Sequence, residues 1–281
     1  MSGEKMQEGG QQDQAQRQQE EMILSQRMSE IGRKLLVLSG KGGVGKSTVA
    51  TNLAVALAEA GRKVGLLDVD IHGPSVPKML GLEGGRLVSD GMSFYPVQAG
   101  ENLLVMSIAF LLQESSDAVI WRGPRKFSAI RQFLTDVAWG KLDFLIVDSP
   151  PGTGDEPLSV AQLVGSPAEA VIVTTPQDVA ISDVRRCVSF CRAMMLPVAG
   201  IVENMSGFVC PRCGERVDLF KTGGGRELAE KEGVPFLGSI PFEPTVVESG
   251  DAGEPFISSA SASAVSQTFS GIVDALLSTD K

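Results

Sequence analysis

A glycine-rich segment between a strand-like run and a helix-like run limits the possible folds more than any other feature. Gly40–Ser47 reads GKGGVGKS and matches the pattern G-x-x-x-x-G-K-[ST]. It follows the continuous apolar run Lys34–Ser39, typical of a buried parallel strand, and opens Ser47–Ala60, where apolar residues recur at helical spacing. In this setting backbone N–H groups converge on phosphate oxygens at a helix N-terminus. The segment therefore predicts a phosphate-binding loop (P-loop).

The individual residues of the loop have predictable tasks. We expect Lys46 to reach the β- and γ-phosphates of ATP, where it assists catalysis, and the Ser47 hydroxyl to bind Mg²⁺. The residues predicted to contact the nucleotide here are Gly40, Lys41, Gly42, Gly43, Val44, Gly45, Lys46, Ser47 and Thr48.

Strand-like and helix-like runs alternate along most of the chain. The helical stretches include Asp178–Met195. Such alternation predicts an α/β fold, a mostly parallel sheet with helices on both faces. The predicted strands after the first are Lys63–Asp68, Phe144–Asp148, Ala170–Thr174, Val198–Glu203 and Phe236–Ile240.

The two ends of the chain differ in composition from its centre. Residues 1–31 are rich in Gln and Glu with one short apolar patch, so we expect a disordered or loosely helical tail. Residues 32–260 are predicted to form the ATPase domain. Residues 261–281 are Ser-rich and are expected to be a tail with one short helix, Phe269–Leu277.

Charge and composition exclude several classes of function. The 281 residues carry a formal charge of −9, which disfavours non-specific binding to nucleic acid or anionic membranes. No apolar run approaches the length of a membrane span, and the polar N-terminus does not resemble a signal peptide. Four cysteines in a chain of this length do not form a disulfide framework. We expect a reduced cytoplasmic protein that binds neither nucleic acid nor membrane.

Three carboxylates follow predicted strands at the edge where a P-loop ligand would lie. Asp148 has the position of a Walker-B aspartate that holds Mg²⁺, and Asp70 is predicted to position the attacking water. Asp68 is either an outer-shell group of the Mg²⁺ site or a helix-capping residue. The single histidine, His72, is interpreted as a loop residue, because nothing nearby supplies a nucleophile for it to activate.

The cysteines form two pairs of different character. Cys210 and Cys213 form a C-x-x-C loop that can hold one metal ion or one edge of an iron–sulfur cluster. Cys187 and Cys191, four residues apart on a predicted amphipathic helix, are interpreted as small buried hydrophobic residues. A single C-x-x-C supplies two of four ligands, so a second subunit would supply the rest. Thiolates alone do not distinguish zinc from iron–sulfur.

The P-loop resembles that of the deviant P-loop ATPases, the SIMIBI class. In these proteins the loop carries an extra lysine near its start, which here is Lys41. This resemblance implies that Lys41 reaches the partner's nucleotide across a dimer interface and takes part in catalysis there. In related ATPases an asparagine at the position of Asn204 reads the adenine edge, although a turn-forming asparagine is the alternative.

Longer stretches resemble the Mrp/ApbC family of iron–sulfur cluster carrier ATPases. They include GKGGVGKST, LLDVDIHGPS, DSPPGTGDEP, TTPQDVAISDVRR and GIVENMSGFVCPRCG, and the likeness extends from Arg33 to about Ile257. It implies a homodimer in which Cys210 and Cys213 of each subunit bridge a [4Fe–4S] cluster. It also implies that an upstream scaffold donates the cluster and that apo iron–sulfur proteins accept it.

Two other functions fit parts of the pattern. A spatial-positioning ATPase with a zinc or structural C-x-x-C is the main alternative, but Ser261–Lys281 carries one lysine and makes no basic membrane-binding helix. An electron-transfer ATPase similar to nitrogenase reductase would need cluster cysteines at other positions.

Overall fold

The computed structural model describes residues 18–70, 73–91, 93–111, 123–210, 212–213, 215–218, 221–260 and 263–278. His72 lies outside these ranges. The strands are β1 (Ile31–Leu38), β2 (Val64–Asp68), β3 (Val88–Ser89), β4 (Phe94–Tyr95), β5 (Val97–Gly100), β6 (Leu103–Ser107), β7 (Leu142–Asp148), β8 (Glu169–Thr174), β9 (Val198–Glu203), β10 (Phe208–Val209), β11 (Arg216–Val217) and β12 (Phe236–Ser239). The helices are α1 (residues 18–29), α2 (Lys46–Glu59), α3 (Val76–Met79), α4 (Gly123–Asp136), α5 (Asp155–Val164), α6 (Asp178–Ala193), α7 (Gly224–Glu232), α8 (Pro244–Ala252), α9 (Phe256–Ser259) and α10 (Ala264–Ser278), with a 3₁₀ turn at Ile108–Leu111.

Eight strands form one sheet in the order β12-β9-β8-β1-β7-β2-β6-β5. All neighbouring pairs are parallel except β5 and β6. The predicted mostly parallel α/β fold is confirmed, and each predicted strand coincides with an observed one within a few residues. Because β1, β7 and β2 are adjacent and parallel, their carboxyl ends meet at one edge, where the P-loop follows β1.

Each face of the sheet is covered by a separate hydrophobic core. Alternating residues of β1 show this division, because Leu36 and Leu38 belong to one core and Leu35 and Val37 to the other. The first core packs against α1 and α4–α7, and the second against α2, α3, α9 and α10. Burial on both faces explains why the central strands consist of continuous apolar runs.

The segment before β1 is ordered where the structure describes it. Leu24 and Met28, one turn apart on α1, are buried in the first core, and Arg27 donates hydrogen bonds to Val137 O and Ser93 Oγ. This part of the predicted tail therefore packs against the domain. The two buried residues form only a narrow apolar stripe on an otherwise polar helix. The composition of the segment is therefore polar, and composition alone predicts a tail.

The C-terminal helix is also longer and more buried than predicted. Over α10, Val265, Phe269, Ile272 and Leu276 face the second core. The Arg33 side chain, held by Glu169 at 2.9 Å, donates to the Leu276 carbonyl and fastens the end of this helix to β1. The described part of the chain contains no helix long and apolar enough to span a membrane.

Candidate functional site

The P-loop connects β1 to α2 and leaves its backbone open at the start of the helix. Gly45, the residue before α2, has φ of 78°, which favours glycine. A Cβ atom built on Gly45 would lie 2.2 Å from Asn204 Nδ2, so any side chain would collide with that amide. Glycine is therefore required here both by the backbone conformation and by the close approach of Asn204.

Lys46 brings the predicted catalytic and magnesium-binding groups together. Its side chain is 6% exposed, and its Nζ lies 2.5 Å from Asp148 Oδ1, 3.7 Å from Asp70 Oδ2 and 3.4 Å from Ser47 Oγ. A buried ammonium needs such partners, because leaving it unpaired would be costly. The amine thus rests on carboxylates beside the loop where phosphate is expected to bind.

Asp148 provides a further ligand position at this edge. Burial raises the pKa of its carboxyl group, while the adjacent Lys46 ammonium lowers it. Its Oδ2 atom is buried and accepts no hydrogen bond from the described residues. An orphaned carboxylate oxygen beside a hydroxyl, Ser47 Oγ, fits a hard cation such as Mg²⁺.

Asp68 lies next to Asp148 in the neighbouring strand and is fully buried. It accepts hydrogen bonds from Ser107 Oγ at 2.9 Å and from the Asp70 backbone N–H at 3.1 Å. Burial and then the charge of Asp148 raise the pKa of Asp68 to about 8. Helix α3 begins after Ser75, so Asp68 braces the turn that leads to Asp70 and caps no helix there. Ser107 is a site residue that no motif in the sequence indicates, because it ends strand β6, which was not among the predicted strands.

Asn204 contacts the P-loop directly. It is 8% exposed and donates from Nδ2 to the Val44 carbonyl oxygen at 2.9 Å. A cavity of about 70 Å³ lies beside it, lined among others by Thr48, Phe242 and Val246. Lys41, at the other end of the loop, is half-buried and forms no ion pair with the described residues.

The C-x-x-C pair lies at the tip of a two-stranded hairpin formed by β10 and β11. The Cys210 backbone N–H donates to the Glu215 carbonyl at 2.9 Å and closes the turn. Cys210 is half-buried and Cys213 is exposed. Backbone N–H groups of Arg212 and Cys213, together with the Cys213 thiol, lower the pKa of the Cys210 thiol. The hairpin therefore presents an accessible thiol pair in which Cys210 favours the thiolate form that binds metals.

The other two cysteines are inaccessible. Cys187 and Cys191 are both fully buried on α6, as the helical spacing predicted. A hydrogen bond between them, together with burial, raises the pKa of the Cys187 thiol. Within the described ranges, no cluster of three or more His, Cys, Asp or Glu side chains could hold a metal ion.

Comparison with proteins of known structure places this fold among nucleotide-binding proteins. A nucleotide-binding protein of Archaeoglobus fulgidus in complex with ADP superposes with a TM-score of 0.75 at 42% identity, covering 84% of this chain and 92% of that one. The cell division ATPase MinD of Pyrococcus furiosus superposes with a TM-score of 0.65 at 26% identity, covering 88% of this chain and 99% of that one.

Two proteins found by sequence comparison have a higher identity to this chain than these two structures. An iron-sulfur cluster carrier protein of Methanocaldococcus jannaschii is 48% identical over 239 residues, covering 85% of this chain and 82% of the relative. The cytosolic Fe-S cluster assembly factor NUBP2 of Bos taurus is 50% identical over 248 residues, covering 87% of this chain and 92% of the relative. Residues 30–277 match the ParA family described as NUBPL iron-transfer P-loop NTPase. The predicted resemblance is thereby confirmed, and the chain belongs to this family of iron-transfer P-loop NTPases.

Proposed function

We propose that this protein is an ATP-hydrolysing carrier that holds a [4Fe–4S] cluster between two subunits and passes it to apo-proteins. One observation supports this most strongly: a P-loop and an accessible thiol pair with a lowered Cys210 pKa occur in the same domain. The names of the relatives, which are about half identical, support the part of this proposal that concerns carrying an iron–sulfur cluster.

The nucleotide is bound by Gly40–Thr48. Lys46 Nζ contacts Asp148 Oδ1 at 2.5 Å. On ATP binding the ammonium turns toward the β- and γ-phosphates, because they carry more negative charge than the carboxylate. Ser47 Oγ and Asp148 Oδ2 would hold Mg²⁺, which neutralises charge on the phosphates when it is bound. Asn204 reads the adenine edge, with the neighbouring cavity of about 70 Å³ receiving part of the base.

Hydrolysis needs an oriented water and stabilisation of the negative charge that develops on ADP, the leaving group. Asp70, 3.7 Å from Lys46 Nζ, would orient the water that attacks the γ-phosphorus. Lys41 makes no ion pair with the described residues, so its ammonium is available to the nucleotide of a second copy. In this arrangement ATP stabilises the homodimer, because each nucleotide contacts both subunits.

The cluster is the cargo. Cys210 and Cys213 supply two thiolates, and a cubane cluster takes four. Cys187 and Cys191 are buried and hydrogen-bonded to each other, so they are poor candidates for the other two ligands. We assign those ligands to Cys210 and Cys213 of a second copy, which places the cluster at the interface that ATP stabilises.

The partners follow from this role. The dimer would receive its cluster from an upstream assembly scaffold and deliver it to apo iron–sulfur proteins. We place it in the cytosol, free of membrane and nucleic acid, in line with the cytosolic name of its NUBP2 relatives and the net charge of −9. The alternative of a positioning ATPase with a zinc C-x-x-C is less well supported, because the MinD likeness stands at 26% identity against about 50% for the carriers.

The test is anaerobic reconstitution with iron and sulfide of the full-length wild type, a Cys210→Ala/Cys213→Ala variant and a Cys187→Ala/Cys191→Ala control. We expect about four irons and four sulfides per dimer in the wild type and the control, and none in the first variant. A wild type that dimerises with ATP but takes up zinc and no iron would overturn the carrier function and favour the positioning ATPase.

A further inference from the structure

Glu203, the last residue of β9, is a buried carboxylate with an unusual set of partners. Its side chain is fully buried and accepts hydrogen bonds from Ser206 Oγ at 2.6 Å, Gly223 N at 3.0 Å and Gly225 N at 2.6 Å. All three donors are neutral. A buried carboxylate of this kind is stable only while these donors stay in place, because each unmade bond leaves charge without solvation.

The donors lie at both ends of the loop that carries the C-x-x-C hairpin. Ser206 precedes β10, and Gly223 and Gly225 follow β11 at the start of α7. The N-terminal end of this loop is held by two further contacts. The Ser206 N–H donates to Ile240 O, and the Phe208 ring packs on Phe242. The Glu203 carboxylate thus ties the base of the hairpin together.

The next residue, Asn204, makes the contact with the P-loop. Its side chain donates to Val44 O at 2.9 Å, and its backbone N–H donates to Thr174 O at 2.7 Å. A single peptide bond therefore separates the residue that contacts the P-loop from the residue that closes the hairpin. A shift of Val44 on nucleotide binding would be passed to the hairpin base and not absorbed by a flexible loop.

We propose that Glu203 is a positioning residue that couples the nucleotide state of the P-loop to the exposure and reactivity of Cys210 and Cys213. The proposal rests on the proposed function for the ATP site and for the role of the thiols. It adds the residue through which the two sites communicate. Because coupling between sites is reciprocal, loading the thiols would also change the affinity for nucleotide.

The test measures the thiols in the absence of any cluster. Full-length, reduced, metal-free protein is alkylated with iodoacetamide with and without a saturating non-hydrolysable ATP analogue and Mg²⁺, and the rate at each cysteine is followed by mass spectrometry. Cys187 and Cys191, which are buried, report unfolding in the same sample. The variants are Glu203→Gln and the control Glu215→Gln, which makes the same charge change at an exposed residue of the hairpin.

We expect the nucleotide analogue to change the alkylation rate of Cys210 and Cys213 about fivefold in the wild type and in Glu215→Gln. In Glu203→Gln an NH₂ group faces a glycine N–H, so one bond of the clamp is replaced by a repulsive contact between two donors and the ratio should fall to about one. Nucleotide affinity should stay within about threefold of the wild type, because the P-loop contact of Asn204 is retained. An unchanged ratio in Glu203→Gln, or a wild type without any nucleotide response, would overturn the proposal.

A second variant covers the case in which Glu203→Gln does not fold. Ser206→Ala removes one donor and leaves both glycine bonds, so we expect an intermediate ratio, and a wild-type ratio would overturn the proposal. The outcomes for the two sites are separable. A wild type that loads iron without a nucleotide response refutes only the coupling, whereas coupled thiols that never load iron refute the carrier function.

Discussion

The buried carboxylate of Asp68 predicts a specific dependence of stability on pH. Burial, followed by the charge of Asp148, raises its pKa from the ordinary 3.8 to about 8, against hydrogen bonds from Ser107 and the Asp70 backbone. Between these two values the folded protein holds a proton that the unfolded chain has released. The stabilisation from neutral Asp68 is therefore complete below pH 3.8 and is lost as the pH rises through about 8.

The magnitude follows from one proton. A difference of one bound proton changes the free energy of unfolding by about 1.4 kcal/mol per pH unit. From pH 5.5 to 7.5, Asp68 should thus lower the free energy of unfolding by roughly 2.5 kcal/mol. Asp68→Asn keeps the shape and the acceptor oxygen but cannot titrate, so its slope against pH should be shallower by about 1.4 kcal/mol per unit.

The assay is urea denaturation followed by circular dichroism at pH 5.5, 6.5 and 7.5, with EDTA and without nucleotide. Asp251→Asn, a change at an exposed aspartate, serves as the control and should keep the wild-type slope. Contributions from titrating groups remote from the Asp68–Asp148 pair cancel when the variants are compared. Equal slopes for the wild type and Asp68→Asn would refute the reasoning, because Asp68 would then release its proton in both states.

Three further substitutions test the packed termini and the nucleotide site. Leu24→Ala in α1 should lower the free energy of unfolding by about 2–3 kcal/mol in urea denaturation. Met22 is 68% exposed, so Met22→Ala should change it by less than about 0.5 kcal/mol. Equal effects would mean that α1 does not pack on the first core. Phe269→Ala in α10 should lower the free energy of unfolding by about 3–5 kcal/mol in urea denaturation, whereas Val247→Ala, at an exposed residue, should change it little. A small loss for Phe269→Ala would show that the C-terminal helix is not part of the core. Asn204→Ala should weaken ADP binding about five- to tenfold in calorimetry, and an unchanged Kd would remove Asn204 from the nucleotide site.

Local patterns were sufficient for the centre of the fold. The prediction was correct within a few residues for strand β1, the P-loop and helix α2. An apolar run, a glycine-rich segment and apolar residues at helical spacing follow one another there within one short stretch. The central strands were readable for the same reason, since burial on both faces leaves continuous apolar runs. The edge of the sheet was not predicted. Strands β5 and β6 lie there, and β5 is antiparallel with alternating exposure.

The termini show where composition misleads. Polar residues dominate the segment before β1, and Leu24 and Met28 are a small part of it, yet they are enough to pack one side of α1 on the first core. The Ser-rich C-terminal stretch similarly contains Val265 and Phe269 at helical spacing. Whether such a stripe is buried depends on a complementary surface elsewhere in the chain, which composition does not describe.

The P-loop and the C-x-x-C pair can be identified from the chain alone, because each is a contiguous segment whose chemistry depends on residue type and spacing. The partners of Asp68 and Glu203 cannot. Ser107 reaches Asp68 from 39 residues away, and Gly225 reaches Glu203 from 22 residues away, through a sheet edge and a helix start that exist only after folding. The raised pKa of Asp68 and the closed base of the hairpin are consequences of burial and of these long-range bonds, so folding creates them.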